Sequence, residues 1–169
     1  MVDRGVDVRA CSERDLALLR TRWPTPDDVA GAHYAEQQAG GATFLVGWEA
    51  DEPVGWALIQ WRGCLGENAR AAFPECVEVN HLQVREWHRG RGVGTAILAA
   101  AVDRARDRGV AQLAVSVSVD NPDAARLYRR LGYQPTGIVD VCCYRWCDDQ
   151  GSWHDEVESS ELLVTRLVA

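Results

Sequence analysis

No apolar run in this chain of 169 residues approaches the roughly 20 residues that a bilayer-spanning helix needs. The first fifteen residues, MVDRGVDVRACSERD, lack the apolar core of a secretory signal. The expectation is a cytoplasmic protein with no membrane partner. Positive charge is in deficit as well: 18 basic side chains against 25 acidic ones leave a net charge of -7. A surface of that sign repels a phosphodiester backbone, so no nucleic-acid partner is expected. It favours, weakly, cationic partners such as amines. The sequence also lacks internal repeats, low-complexity runs and linkers. With 47% hydrophobic residues, residues 1–169 read as one soluble domain with a sizeable core.

A C-x-x-C pair is missing too. Of six cysteines, Cys11, Cys64 and Cys76 are scattered, and Cys142, Cys143 and Cys147 cluster in VDVCCYRWCDD. A disulfide framework is not expected in a cytosolic chain of this size. The cluster reads first as small hydrophobes on a strand. Cys143, Cys147 and His154 form the one set that could hold zinc, as in a zinc-stabilised interaction domain, but the expectation is no metal.

Alternation and helical spacing predict an ordered series of elements. VDVRAC (Val6 to Cys11) is a first strand. Ser12, with Asp15 three residues on, opens a helix to about Thr21. Asp27 or Asp28 opens a second helix that stops at Gly40-Gly41. ATFLVGWE and PVGWALIQW are strands joined by the turn Ala50 to Pro53. Arg62 to Pro74 is a loop. VEVNHLQV (Val77 to Val84) is the fourth strand, on which simple alternation puts Glu78, Asn80, Leu82 and Val84 on one face and His81 on the other. A long helix follows, with apolar residues at Val93, Ile97, Ala101 and Ala105 and a stop at Gly109. LAVSVSV is the fifth strand. Asn121-Pro122 opens another helix, and TGIVDVCCYRWC and ELLVTRLV are the last strands, joined by the polar segment DDQGSWHDEVESS. Helices mixed with strands, and hairpins at both ends, point to an α/β sheet of mixed direction.

Between the fourth strand and the long helix lies VREWHRGRGVGTAILAAAV. A strand, a glycine turn and a helix bring free backbone N–H groups and the positive end of the helix dipole to one point, which is an anion site. Side chains in the turn would hold a phosphate away from the backbone. Arg89 and Arg91 add charge. A triphosphate loop needs Lys-Ser or Lys-Thr after its last glycine; here Gly94 is followed by Thr95-Ala96. A dinucleotide fingerprint needs a third glycine where Ile97 stands, and an acidic residue about 20 positions on, where residues 110–119 have none. The pyrophosphate of coenzyme A is the third reading.

Arg89-Gly90-Arg91-Gly92-Val93-Gly94 matches the pattern [Q/R]-x-x-G-x-[G/A] and resembles the GNAT superfamily of N-acetyltransferases. LQVREWHR before it is similar to that family's fourth strand. SVDNPDAARLYRRLGYQPTG (Ser118 to Gly137) is similar to its fifth strand and following helix, through Asn121, Ala125, Tyr128, Leu131-Gly132-Tyr133 and Gly137. The resemblance covers most of the chain and is strongest from Val77 to Gly137. It implies a mixed, mostly antiparallel sheet of about six to seven strands, splayed between the fourth and fifth and flanked by about four helices.

It also implies an acetyl-CoA-dependent N-acetyltransferase. A primary amine, on a small molecule or a peptide, attacks the thioester directly in a ternary complex, with acetyl-CoA as cosubstrate and a homodimer left open. The backbone of Arg89, Gly90, Arg91, Gly92, Val93, Gly94 and Thr95 would hold the pyrophosphate. The edge of the fourth strand at Leu82, Gln83 and Val84 would pair with the pantetheine arm, as in strand addition, and an N–H there would polarise the thioester carbonyl. Asn121 is a helix cap by its chemistry and a pantetheine contact by resemblance. Tyr128 is either a core tyrosine or the acid that protonates the departing thiolate. Glu78 is either a solvated strand-end glutamate or the general base, working with a water or amine positioned by Asn80. Trp23, Tyr34, Trp61 and Trp146 lie in segments the family uses to wall the acceptor site, and each could equally be core. Asn80, where some relatives carry a carboxylate, also permits a non-catalytic acyl-CoA-binding or regulatory module. No cysteine stands near the motifs to carry an acyl group.

Overall fold

A computed structural model describes residues 5–148 and 150–167. Among them are seven strands and five α-helices. In chain order they are β1 (Asp7–Ala10), α1 (Glu13–Arg22), α2 (Val29–Gln38), β2 (Ala42–Glu49), β3 (Glu52–Gln60), α3 (Glu67–Ala72), β4 (Val77–Val84), α4 (Val93–Asp107), β5 (Gln112–Ser118), α5 (Pro122–Arg130), β6 (Gln134–Cys147) and β7 (Trp153–Arg166). The strands form one sheet in the order β1-β2-β3-β4-β5-β7-β6. Every neighbouring pair is antiparallel except β4 and β5. This is the mixed, mostly antiparallel sheet that the resemblance implies. No helix among the described residues is long and apolar enough to cross a membrane.

The parallel pair is short. Val77, Glu78 and Val79 of β4 face Leu113, Ala114 and Val115 of β5, after which β4 runs on to Val84 and β5 to Ser118 without pairing with each other. The sheet is therefore forked, as expected between its fourth and fifth strands. Past Val79 one edge of β4 has no neighbouring strand, which a sheet normally avoids.

Each face carries its own core. On one side α4 packs Ile97, Leu98 and Ala101 on Leu45, Ala57, Ile59, Val77 and Val79. Burying each of the larger side chains contributes about 1.5–3 kcal/mol. The helix comes close enough that a Cβ added to Gly55 would lie 2.9 Å from the Gln83 carbonyl oxygen and 3.0 Å from Ile97 and Val93. On the other side α1 and α2 cover Phe44, Val46, Trp48, Trp56 and Leu58 with Leu16, Leu19 and Ala30. The Ser12–Asp15 capping box is complete. Gln37 fastens α2 to the sheet: its amide donates to the Cys11 carbonyl at 2.8 Å and accepts from the Phe44 N–H at 2.9 Å.

Three expectations change. The segment Arg62 to Pro74 contains α3, because Asp140 of β6 caps it from across the chain: the N–H groups of Asn68 and Ala69 donate to its carboxylate at 2.8 and 2.9 Å. The polar segment before Glu161 is half strand, since β7 pairs with β6 from Cys147↔Trp153 through Val139↔Glu161. On β4, alternation fails. Leu58 pairs with Asn80 and Trp56 with Gln83, so His81 and Leu82 together oppose Ala57. This bulge, with His81 at φ 53°, reverses the faces beyond it. Leu82 and Val84 join Val77 and Val79 on the α4 side, away from Glu78. His81 turns towards α2, its ring centroid 4.9 Å from that of His33.

Candidate active site

The glycine turn is built as an open nest. Gly90 and Gly92 have φ of 71° and 81°, the left-handed region that L side chains avoid. A Cβ at either would meet nothing within 4 Å, so backbone conformation and not space requires glycine there. Gly94 differs: a Cβ would make ordinary contacts of 3.8–4.0 Å with Val84, Leu127 and Leu82. α4 starts at Val93 without a side-chain cap. Among the described residues, no acceptor takes a hydrogen bond from the N–H groups of Gly90 to Thr95. Arg89 reaches back, its Nε donating to the Val84 carbonyl at 3.1 Å, while Arg91 stays exposed. Unsatisfied amides at a helix N-terminus suit an anion. These residues therefore fit the diphosphate of a coenzyme, and the free edge at Leu82, Gln83 and Val84 fits an amide-bearing arm.

Glu78 stands where the fork opens. Val77 and Val79 point to α4, so Glu78 points to the opposite face, where it is 2% exposed. The Leu65 N–H donates to its Oε2 at 2.7 Å. Burial pushes its pKa above the ordinary glutamate value. The Leu65 amide and the Ser116 hydroxyl pull the other way, and the Asp140 charge adds to the rise. A solvated strand-end glutamate is excluded by this burial. Tyr128 lies in the core on the α4 side, 8% exposed, edge-on to Tyr133 with ring centroids 6.0 Å apart. Its hydroxyl makes no hydrogen bond among the described residues, and burial raises its pKa. Asn121 caps α5, its Oδ1 accepting from the Ala124 N–H at 3.1 Å. Cys64 and Cys76, which the sequence leaves remote, lie close enough to Glu78 to feel its charge, and both are buried.

The α1/α2 face carries a second group of side chains. Asn80 pairs with Leu58, which faces α1 and α2, so Asn80 faces that way too. Its Oδ1 and Nδ2 are both buried without a partner, as is Nε2 of His33. Burial first, and then His81, push the His33 pKa down to about 4. Trp56 is edge-on to His33 and stacked on Trp23 at 4.2 Å. Tyr34 is partly buried on the same core. Trp61 is elsewhere: it packs with the α4-side core, under the Arg108 guanidinium. Trp146 sits on the β6–β7 hairpin, stacked on His154. The zinc set does not share a face. His154 pairs with Trp146 and Cys143 with Val157, so their side chains point oppositely, and the Cys147 side chain lies outside the described residues. Sequence reasoning assigns no role to His33 or Trp56, and alternation sets His81 on the opposite face. His33 was findable, since Ala30, His33 and Gln37 follow the inward stripe of α2.

A forked sheet, a nest of free amides and a helix aimed at that nest define an α/β protein with an anion site at the end of a strand edge that no neighbouring strand covers. The profile of the Acetyltransferase (GNAT) family matches residues 10–133, and the chain belongs to that family. It is 30% identical over 144 residues to the aminoglycoside N(6')-acetyltransferase type 1 of Stenotrophomonas maltophilia, covering 82% of this chain and 93% of that one. It is 28% identical to the streptothricin acetyltransferase of Streptomyces lavendulae over 75% of this chain and 63% of that one. The chain spans less than two thirds of the length of the first curated relatives it matches. Its fold matches a GNAT superfamily phosphinothricin acetyltransferase of Sinorhizobium meliloti solved with AcCoA, at TM-score 0.64 and 20% identity, covering 96% of this chain and 88% of that one.

Proposed function

We propose that this protein transfers the acetyl group of acetyl-CoA to a primary amine of a small molecule, by direct attack while both are bound. When bound, acetyl-CoA supplies a thioester whose acyl carbon accepts a neutral amine. The N–H groups from Arg89 to Thr95 would hold its diphosphate and the free edge of β4 from Leu82 to Val84 its pantetheine. Asn121 is committed by its cap to α5, with its Nδ2 left for the pantetheine.

Glu78 takes the proton of the incoming ammonium. A carboxylate with a raised pKa is a stronger base than an exposed one, and it sits where the unpaired edge of β4 begins. Asn80, on the same face, positions the amine or a water between them. Tyr128 holds a proton at its hydroxyl for the departing sulfur. Glu78 and Tyr128 lie on opposite faces of the sheet, so only a group in the plane of the fork meets both.

The observation that carries this reading is the fork: an unpaired strand edge that leads from a buried, raised-pKa glutamate to a nest of free amides. Two relatives named for acetylating streptothricin and aminoglycosides support a small-molecule amine. The experiment is thiol release from acetyl-CoA with a panel of primary amines, counted above the protein's own thiols. Tyr128→Phe is expected to lower kcat by about 100-fold or more with coenzyme affinity unchanged. If no amine releases thiol while coenzyme A still binds, the protein is a coenzyme-binding module and the transferase reading is lost.

A further inference from the structure

Among the described residues, four buried polar atoms on the α1/α2 face have no hydrogen-bond partner: Nε2 of His33, both amide atoms of Asn80 and Nε1 of Trp48. His33 is 7% exposed. Buried polar groups left unpaired cost about 1–3 kcal/mol each, so native proteins rarely keep them without a purpose. Their surroundings are specific. The His33 ring is edge-on to Phe44 and Trp56 and tilted against His81. Trp56 stacks on Trp23. His81 is brought to this face only by the bulge in β4, at a φ of 53° that a histidine adopts at a cost.

We infer that this group is the acceptor-recognition site, built for an amine whose neighbours are hydroxyl or further amino groups and which bears no carboxylate beside the reacting nitrogen. The inference rests on the transferase reading and names the acceptor for that same site. Neutral groups that both donate and accept match hydroxyl and amino groups, which do the same. The indole faces offer a floor for the carbon skeleton of a sugar or cyclitol and attract an ammonium. Two negative charges lie by the polar group: Glu36 acts on His81, and Glu78 is on the same face. The cation that reaches the aromatic floor is Arg85, 5.3 Å over Trp23. It is already engaged, donating to the carbonyls of Pro53 and Arg22 and facing Glu52 at 3.6 Å. Arg22 pairs with Glu52 and Arg20 with Asp28, each at 2.6 Å. An acceptor carboxylate would have to displace one of these pairs.

The test compares amino sugars with α-amino acids as acceptors, by thiol release and by calorimetric binding in the presence of coenzyme A. Amino sugars should lead in kcat/KM by about tenfold or more. His33→Phe and Asn80→Leu, which keep shape and remove hydrogen bonding, should each raise the amino-sugar KM about tenfold and leave the acetyl-CoA KM unchanged. The tenfold follows from a lost hydrogen bond of about 1.4 kcal/mol. Retained coenzyme binding shows that each variant folds; His33→Gln replaces the phenylalanine variant if it does not. Preference for α-amino acids, or an unchanged amino-sugar KM in both variants, overturns the inference. Amino-sugar binding that these variants weaken without any thiol release keeps the recognition site and sinks the transferase reading instead.

Discussion

From Leu82 to Thr95 the candidate site is main chain; across the α1/α2 face it is side chain. The coenzyme half uses backbone amides, two glycines at positive φ and a strand edge, all within fourteen consecutive residues. The acceptor half draws His33 from α2, Trp56 from β3, Asn80 and His81 from β4 and Trp23 from the end of α1. Main-chain geometry tolerates many side chains but few changes of conformation. A pocket of side chains behaves in the opposite way, so related proteins can keep one coenzyme and change the acceptor. The two halves should therefore fail differently when mutated.

The largest effect is expected at the junction of the halves. Glu78→Gln keeps the acceptor oxygen for the Leu65 N–H and removes the base, so kcat should fall by about 100- to 10,000-fold with both KM values little changed. In the unmutated protein the base must be ionised. Because burial raises its pKa, kcat/KM should rise with pH through an inflection above 4.5, the ordinary glutamate value. A flat acid limb, or a small loss in Glu78→Gln, would remove Glu78 from the mechanism. The coenzyme half comes next. Gly92→Ala puts a Cβ at φ 81°, a cost of about 1–2 kcal/mol, and should raise the acetyl-CoA KM about tenfold while the acceptor KM stays. Gly94→Ala, where a Cβ meets only ordinary contacts, should do little. Equal effects at the two positions would mean that space and not conformation matters in the turn.

These contrasts follow what the sequence could and could not carry. The glycine turn is legible because its requirement is local: consecutive residues adopt consecutive φ values. The same holds for the caps at Ser12 and Asn121, each of which bonds an N–H three residues on. α3 is not legible, since its cap is Asp140, 72 residues from Asn68. Neither is the bulge in β4. Alternation alone predicts one face for Glu78, Asn80, Leu82 and Val84, and nothing in VEVNHLQV says that His81 and Leu82 share one partner across the strand. That single register shift brings His81 to the face that alternation denies it, and with it the His33–His81–Asn80 group. Trp61 stays open between acceptor wall and core for a related reason: an aromatic side chain next to a strand end carries no sign of its face until the sheet is assembled, and here it packs on the α4-side core.

A smaller effect tests how the two halves are joined. Asp140→Asn keeps an oxygen for the first turn of α3 but removes the charge that helps raise the Glu78 pKa. The acid limb of kcat/KM should move to lower pH with kcat on the plateau nearly unchanged. A limb that stays in place would mean that burial alone sets the basicity of Glu78.

The smallest effect separates the two roles of Asn121. Its Oδ1 caps α5, which any good cap can do, whereas a pantetheine contact needs the amide Nδ2 as donor. Asn121→Asp keeps the cap and loses the donor. Asn121→Ala loses both, at a stability cost of about 1 kcal/mol. A contact predicts that both variants raise the acetyl-CoA KM several-fold and that only the alanine variant lowers the melting temperature. A cap alone predicts a lower melting temperature in the alanine variant and an unchanged KM in the aspartate one. In the first case the coenzyme half relies on a side chain after all, and its contrast with the acceptor half narrows at this residue.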